Sequence, residues 1–338
     1  MRQKCAFGCN PRADNGVQMA MTTRPFRFGL LVERFSSYEA LVRTARQAEA
    51  AGFSTLLIRD HFIEEPFGHQ FAPLVTLAAV AQATTTLRVG TLVIDNDYRH
   101  PALLAKECAT LDVLSDGRFE LGLGAGWARD EYAQIGIPFD PPGARISRLI
   151  EGIHVLKGLW GQEPFSFDGE HYQISGLDCF PRPVQKPHPP LLIGAGGKRM
   201  LELAAREADI IGIMGSPIRD GVIDGDPGAR MEARMAEQVG WIRQAAGPRF
   251  EALELSVVAS MLVTNDRRRD AQEFAERRGW HGVTADAVLD MPAVLIGTID
   301  QMCEDVRARR DRLDLSYFIF ADRDLASAAP LVERLSGI

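Results

Sequence analysis

The sequence has no run of about 18 apolar residues, so no segment reads as a membrane span. Cysteine is scarce. Cys5, Cys9, Cys108, Cys179 and Cys303 form neither a CxxC pair nor a Cys/His cluster at zinc spacing. Free thiols in a reducing cytosol are the simplest account. There is no HExxH, GxSxG or GxxxxGK[ST] pattern, which leaves metalloprotease, serine-hydrolase and P-loop NTPase readings without support. Positive charge is also short: 38 Lys and Arg face 45 Asp and Glu, for a formal net charge of −7. Nucleic-acid binding needs clustered cations, so no such partner is expected. The only basic run, Arg267–Arg269, is flanked by Asp266 and Asp270 and reads as a solvated helix end. The first residues hold no long apolar segment of the secretory type, so a cytoplasmic protein is expected. Residues 1–22 are polar and unpatterned, which predicts a disordered or loosely packed tail, or the product of an early start codon.

What remains is a chain of 338 residues, 46% hydrophobic and 25% charged, with ample material for a large buried core. From Phe26 onward, short apolar runs alternate with longer segments of helical periodicity. Eight runs read as strands: Phe26–Val32, Ser54–Ile58, Leu87–Ile94, Arg118–Leu123, Pro190–Ile193, Asp209–Met214, Leu253–Val263 and Leu315–Phe320. Helices are expected between them, among them Ser37–Ala51, Pro101–Leu114 and Gly143–Trp160. The rhythm breaks at 161–190, which is rich in Pro, Gly and aromatics. There Phe165–Ile174 reads as a hairpin turning at Asp168-Gly169. Eight strand–helix pairs predict a (β/α)8 TIM barrel with insertions, in one domain over residues 23–338. A doubly wound open sheet is the runner-up.

In a barrel the working residues follow the strands, on the C-terminal face. Arg59-Asp60-His61-Phe62 follows the second strand, and Asp95–Arg99 the third. Gly122–Trp127 comes at the end of and after the fourth, and Gly194–Arg199 follows the fifth. Gly122-x-Gly-x-Gly is a weak dinucleotide signal, because GxGxxG spacing and a later acidic partner are missing. Gly194–Gly197 reads equally as a tight turn or as an anion cradle. Glycines let backbone N–H groups approach an anion, and a helix N-terminus follows at once. His61, at a strand end beside Asp60, is a candidate acid or base, although a lone histidine is often structural. Trp127 reads equally as a cofactor-facing aromatic or as rim packing.

These segments taken together resemble a known family. Arg59–Phe62, LSDGRFELGLGAGW (Leu114–Trp127), Asp130-Glu131-Tyr132 and LLIGAGGKRMLELAAREADI (Leu191–Ile210) are similar to the luciferase-like monooxygenase superfamily, and within it to the oxidoreductases that use the deazaflavin coenzyme F420. The resemblance covers residues 26 to about 336, and it rests on the motifs jointly. It implies a luciferase-like (β/α)8 barrel and hydride transfer between F420 and a small organic substrate, with reduction of an activated C=C or C=N bond as the preferred direction. FMN with O2 is the alternative, and a cofactor-binding protein without turnover is a third reading. The resemblance places Asp60 and His61 beside the ring, with His61 as the catalytic acid or base. Leu92 and Val93 match a third-strand bulge behind the ring, where a non-proline cis peptide is expected. Asp95, Ala125, Gly126 and Asp130 match positions lining the ring and ribityl chain, and Gly196, Gly197 and Arg199 match the phosphate site. The chain departs from the family's sugar-phosphate dehydrogenases. Trp127 stands for their catalytic Glu and Glu65 for a ring-facing Trp, while Met214 and Pro217 replace polar and Lys phosphate contacts. Glucose 6-phosphate is therefore not the expected substrate. The loops 161–190, 215–228 and 279–292 are expected to shape the substrate pocket. No metal is expected, and the expected assembly is a homodimer.

Overall fold

Eight parallel strands close on themselves in a computed structural model that describes residues 24–34, 36–215 and 225–338. The barrel strands in chain order are β1 (Arg27–Val32), β2 (Thr55–Ile58), the interrupted pair β3 (Arg88–Thr91) and β4 (Ile94–Asp95), then β5 (Phe119–Gly124). An antiparallel hairpin, β6 (Phe165–Asp168) and β7 (Gln173–Leu177), comes next. The barrel resumes with β8 (Leu191–Ala195), β9 (Ile210–Ile213), β10 (Glu254–Val263) and, after the short β11 (Val294–Gly297), β12 (Leu315–Ala321). Pairing of β9 with β10 and of β12 with β1 closes the ring. A doubly wound sheet would leave two free edges, so that alternative is excluded. The eight strands predicted above are all present, although the third is broken at Leu92-Val93. That bond is the expected non-proline cis peptide.

The barrel helices are α1 (Tyr38–Ala50), α2 (Pro73–Ala83), α3 (Pro101–Leu114), a short α4 (Arg129–Ile135), α5 (Pro142–Leu159), α6 (Lys198–Glu207), α7 (Glu232–Ala246), α8 (Arg267–Arg277), α9 (Ala285–Leu289), α10 (Ile299–Leu313) and α11 (Leu325–Leu335). Their boundaries follow local chemistry. Ser37 caps α1, accepting from the Ala40 N–H at 3.2 Å, and Pro101 opens α3. Thr298 and Gln301 make a reciprocal capping box on α10. Arg267–Arg269 begin α8, capped by Asp266, and Arg268 and Arg269 are exposed as expected of a solvated helix end.

Strand alternation sorts side chains between two cores. Phe28, Leu30, Val32, Leu56, Ile58, Leu121, Leu123, Phe318 and Phe320 face the helices. Leu31, Leu57, Leu192, Ile210, Tyr317 and Ile319 fill the barrel interior, with Leu92 and Val93 packed on them. Below this layer Arg27 bridges Glu120 (2.5 Å) and Glu254 (2.9 Å), Arg88 bonds Glu120 (2.5 Å), and the Arg27 guanidinium lies 4.5 Å from the Tyr317 ring centre. This charged plug seals the N-terminal end. Above the layer the interior positions of β5, β8 and β9 are Gly122, Gly124, Gly194 and Gly212. Gly122 permits a close strand approach, because a Cβ there would stand 1.9 Å from the Thr91 carbonyl oxygen. The hairpin falls inside the predicted 161–190 insertion and is held to α5 by Glu151, which accepts the N–H groups of Glu170, His171 and Tyr172. No helix among the described residues is long and apolar enough to cross a membrane. Cys108, Cys179 and Cys303 are free and buried. The predicted tail at 1–22, with Cys5 and Cys9, lies outside the described residues.

Candidate active site at the barrel mouth

The upper lumen is open and apolar. Its glycines carry no side chains, Leu92 and Val93 are only half-buried, and Val258, an interior-facing residue of β10, is 45% exposed. A Cβ added to Gly194 would meet nothing nearer than Val93 at 3.8 Å. Such a surface suits one face of a flat ring system.

The rim above this floor is polar and strongly ordered. Asp60 and His61 are adjacent in sequence but turn to different partners. The buried Asp60 carboxylate takes a forked pair of bonds from Arg99 (2.6 and 3.1 Å) and one from the Asp95 N–H (3.2 Å). His61 Nδ1 instead lies 3.1 Å from both oxygens of Glu131. Its ring meets Phe67 at 5.1 Å and the edge of Trp127 at 5.6 Å. Trp127 thus sits against the candidate acid–base residue. Glu65 is exposed, and Phe67 supplies the second aromatic wall two residues later. Arg59 stacks on Phe67 at 3.8 Å and pairs with Glu33 at 2.9 Å.

Asp95 follows β4 and is buried. It accepts from the Asp97 N–H and from the Tyr132 hydroxyl, both at 2.9 Å. Burial pushes its carboxyl up to about 7, reinforced by the neighbouring Asp97 and Asp60 charges and opposed by those two hydrogen bonds. The Tyr132 hydroxyl is in turn pushed up by burial and by Asp95 and Asp97. Gly126 sits against this pair with a φ of +72°. A Cβ on it would stand 1.9 Å from the Tyr132 hydroxyl and 2.5 Å from Asp95 Oδ2. Its carbonyl accepts from buried Arg145 at 2.8 Å, and Ala125 beside it is half-buried.

Asp130 is exposed in the first turn of α4, while Glu131 and Tyr132 turn inward and are 1% and 0% exposed. The helix phase, invisible in three consecutive polar letters, decides which side chain reaches the site. Burial would raise the Glu131 carboxyl, but hydrogen bonds from His61, Ile63 and Tyr98 and the nearby imidazole hold it below the usual range.

On the opposite wall, Gly197 is the N-cap of α6 and offers no side-chain cap, so the first-turn N–H groups are left to another acceptor. Gln238 of α7, fully buried, donates to the Gly196 carbonyl (2.9 Å) and the Met214 carbonyl (2.7 Å), fixing the loop from behind. Arg199 is exposed and reaches Ser147 of α5 at 3.4 Å. Met214 is 36% exposed at the end of β9. Pro217 and most of the loop 215–228 lie outside the described residues. Among the described residues no cluster of metal ligands occurs.

This architecture has relatives. The sequence profile described as luciferase-like monooxygenase matches residues 17–280, and the chain belongs to that family. An F420-dependent glucose-6-phosphate dehydrogenase of Kineococcus radiotolerans is 36% identical over 170 residues, 49% of each chain. An FMNH(2)-dependent dimethylsulfone monooxygenase of Pseudomonas putida is 32% identical over 168 residues, 49% of this chain and 46% of that one. The chain thus matches about half the length of these curated relatives. The solved structure of an F420-dependent secondary alcohol dehydrogenase in complex with an F420-acetone adduct superposes with a TM-score of 0.71 at 16% identity, covering 92% of this chain and 98% of that one.

Proposed function

We propose that the protein is an F420-dependent oxidoreductase that reduces an activated C=C or C=N bond of a small organic substrate. The observation that carries this reading is His61 at the mouth of an apolar, ring-shaped floor, with an uncapped helix N-terminus on the facing wall. The residues fit the coenzyme. Leu92, Val93 and the lumen glycines would back its ring, Asp60, Asp95, Ala125 and Gly126 would line its edge and chain, and Gly196, Gly197 and Arg199 would meet its phosphate. Bound and reduced, the coenzyme would supply a hydride to carbon.

The chain's residues supply the rest. Phe67 and Trp127 would shield His61 from water and would pack against a substrate, orienting it for attack. A hydride delivered to C=C or C=N leaves a carbanion or amide-like nitrogen, and His61 would hand that atom a proton. Asp130, exposed in the first turn of α4, would meet the cofactor from the solvent-open rim. Curated relatives named as F420-dependent support the cofactor choice, and the FMNH(2)-dependent relative keeps an FMN monooxygenase as the second reading. Incubating the purified protein with F420 and with FMN, then asking which is retained and reduced, separates them. Tight FMN binding with no affinity for F420 would overturn the proposal. We also propose a homodimer, supported by solvent-open apolar side chains on α2 and α3, with Val75 at 76%, Leu103 at 52% and Leu114 at 50% exposure. A monomeric mass in light scattering would contradict it.

A further inference from the structure

The reading of His61 as the proton-handling residue leaves open which ring nitrogen does the work, and α4 answers that. The Glu131 carboxylate is sealed from solvent and surrounded by donors. Phe62 N–H (2.9 Å) and Ile63 N–H (3.2 Å) bond Oε1, the Tyr98 hydroxyl bonds Oε2 (2.9 Å), and His61 Nδ1 lies 3.1 Å from both oxygens. A carboxylate serving that many donors is ionised and can only accept. Nδ1 must therefore carry hydrogen. A neutral imidazole has one such hydrogen, so Nε2 keeps its lone pair. Nε2 has no hydrogen-bond partner among the described residues and is not one of the atoms buried without a partner, while the ring packs against Phe67 and Trp127.

We propose that Glu131 is the positioning residue of this site: it holds His61 in the Nδ1–H tautomer and makes Nε2 the atom that takes up and hands back the proton. The inference rests on the acid–base role given to His61 above. When Nε2 takes a proton, the ring becomes an imidazolium whose Nδ1–H bond to the carboxylate turns into a charge-assisted pair. When the proton passes to substrate, the ring returns to the Nδ1–H form. Glu131 is never itself protonated, and it touches neither substrate nor cofactor. Its second task, tying down the Phe62 and Ile63 N–H groups, is structural, so the test must read the tautomer itself.

Nitrogen-15 NMR of ring-labelled histidine does so, with His61 assigned by its loss in His61→Asn. In the wild type at pH 8, Nδ1 is expected to be protonated and Nε2 bare. In Glu131→Gln the amide places an NH2 group among donors. His61 is then expected to shift to the Nε2–H form, and its modification by diethyl pyrocarbonate, followed by mass spectrometry of the His61 peptide, to slow about tenfold or more. Cofactor dissociation constants should stay within about threefold, a free-energy change under ~0.7 kcal/mol. A wild-type His61 protonated on Nε2, or a folded Glu131→Gln protein that keeps Nδ1–H, overturns the proposal. Should Glu131→Gln fail to fold, the wild-type spectrum and Glu131→Asp decide it: the withdrawn carboxylate should give a mixture of tautomers, and an unchanged Nδ1–H form would count against Glu131. Neither the tautomer nor the modification readout needs a cofactor or a substrate. Failure of F420 to bind would therefore sink the functional reading without touching this one, whereas a catalytically silent His61 with the predicted tautomer would remove only its purpose.

Discussion

Gly126→Ala tests whether the rim is as tightly built as its geometry implies, and Gly136→Ala is its internal control. Both glycines have left-handed backbones, with φ of +72° and +75°. Alanine in that conformation costs about 1 kcal/mol at either position. The surroundings differ. A Cβ at Gly136 meets nothing within 4 Å, while one at Gly126 would collide with the Tyr132 hydroxyl and with Asp95. Tyr132 must then leave its 2.9 Å bond to Asp95. Above about pH 7, where Asp95 is ionised, a hydrogen bond to a charged group contributes about 1.5–3 kcal/mol. Gly126→Ala should therefore be about 1.5–3 kcal/mol less stable than Gly136→Ala. An unfolding entropy of about 2 cal/mol/K per residue turns that into a gap of roughly 2–4 °C for a chain of this size. Differential scanning calorimetry of the two variants reads the gap directly, and the backbone cost cancels between them. Gly126→Ala should also weaken cofactor binding, whereas Gly136→Ala should not. Equal melting temperatures would refute the reasoning, since they would mean that Tyr132 and Asp95 can make room freely.

Three further outcomes are expected. Asp95→Asn removes a carboxyl whose folded-state pKa is raised to about 7, above its unfolded value. The stability that Asp95 contributes is complete below the unfolded pKa, near 4, and is lost as pH rises through about 7. Melting curves should therefore favour Asp95→Asn over the wild type increasingly between pH 4 and 8, and a constant difference across that range would contradict the raised pKa. Gly197→Asp places a carboxylate where the cofactor phosphate would lie, so affinity should fall about tenfold or more, or ~1.4 kcal/mol. An unchanged dissociation constant in a folded variant would refute the cradle. His61→Ala should lower turnover by about 10²–10⁴-fold with cofactor still bound, and near-normal turnover and pH profile in His61→Gln would assign the proton to water instead.

The barrel was legible because its strands are buried on both faces and so read as short, dense apolar runs between helical patterns. Pro101–Leu114 was read to the residue, since Pro101 marks its start. What escaped was short. The α4 helix has seven residues and starts without a side-chain cap, so it sends no periodic signal. The contact of Glu131 with His61 went unseen for that reason: without a helix there is no phase, and adjacent acids look alike. β11, the four-residue VLIG, was assigned to no element because so short an apolar run does not declare its state. Phe67 was missed because it reaches His61 from the middle of a loop, where no spacing rule applies. By contrast, the break at Leu92-Val93 came from the family resemblance, since nothing in those two apolar letters distinguishes them from a continuous strand.

One strand belongs to two bodies. β10 is ten residues long, and its pairing with β12 ends at Ala259, after which Ser260–Val263 pair with β11 instead. That upper half anchors a separate small core built from Phe274, Trp280, Val288, Met291 and Ile296. The stretch between β10 and β11 can thus be regarded as an exchangeable module on a fixed mast. A graft there keeps the β10–β12 register only if Ser260–Val263 still pair with β11, and it must keep Arg267 and the Leu289 carbonyl, which bond Asp305 and Arg309 of α10. A laboratory seeking new substrates for this scaffold could graft there first, cutting after Val263 and rejoining before Val294.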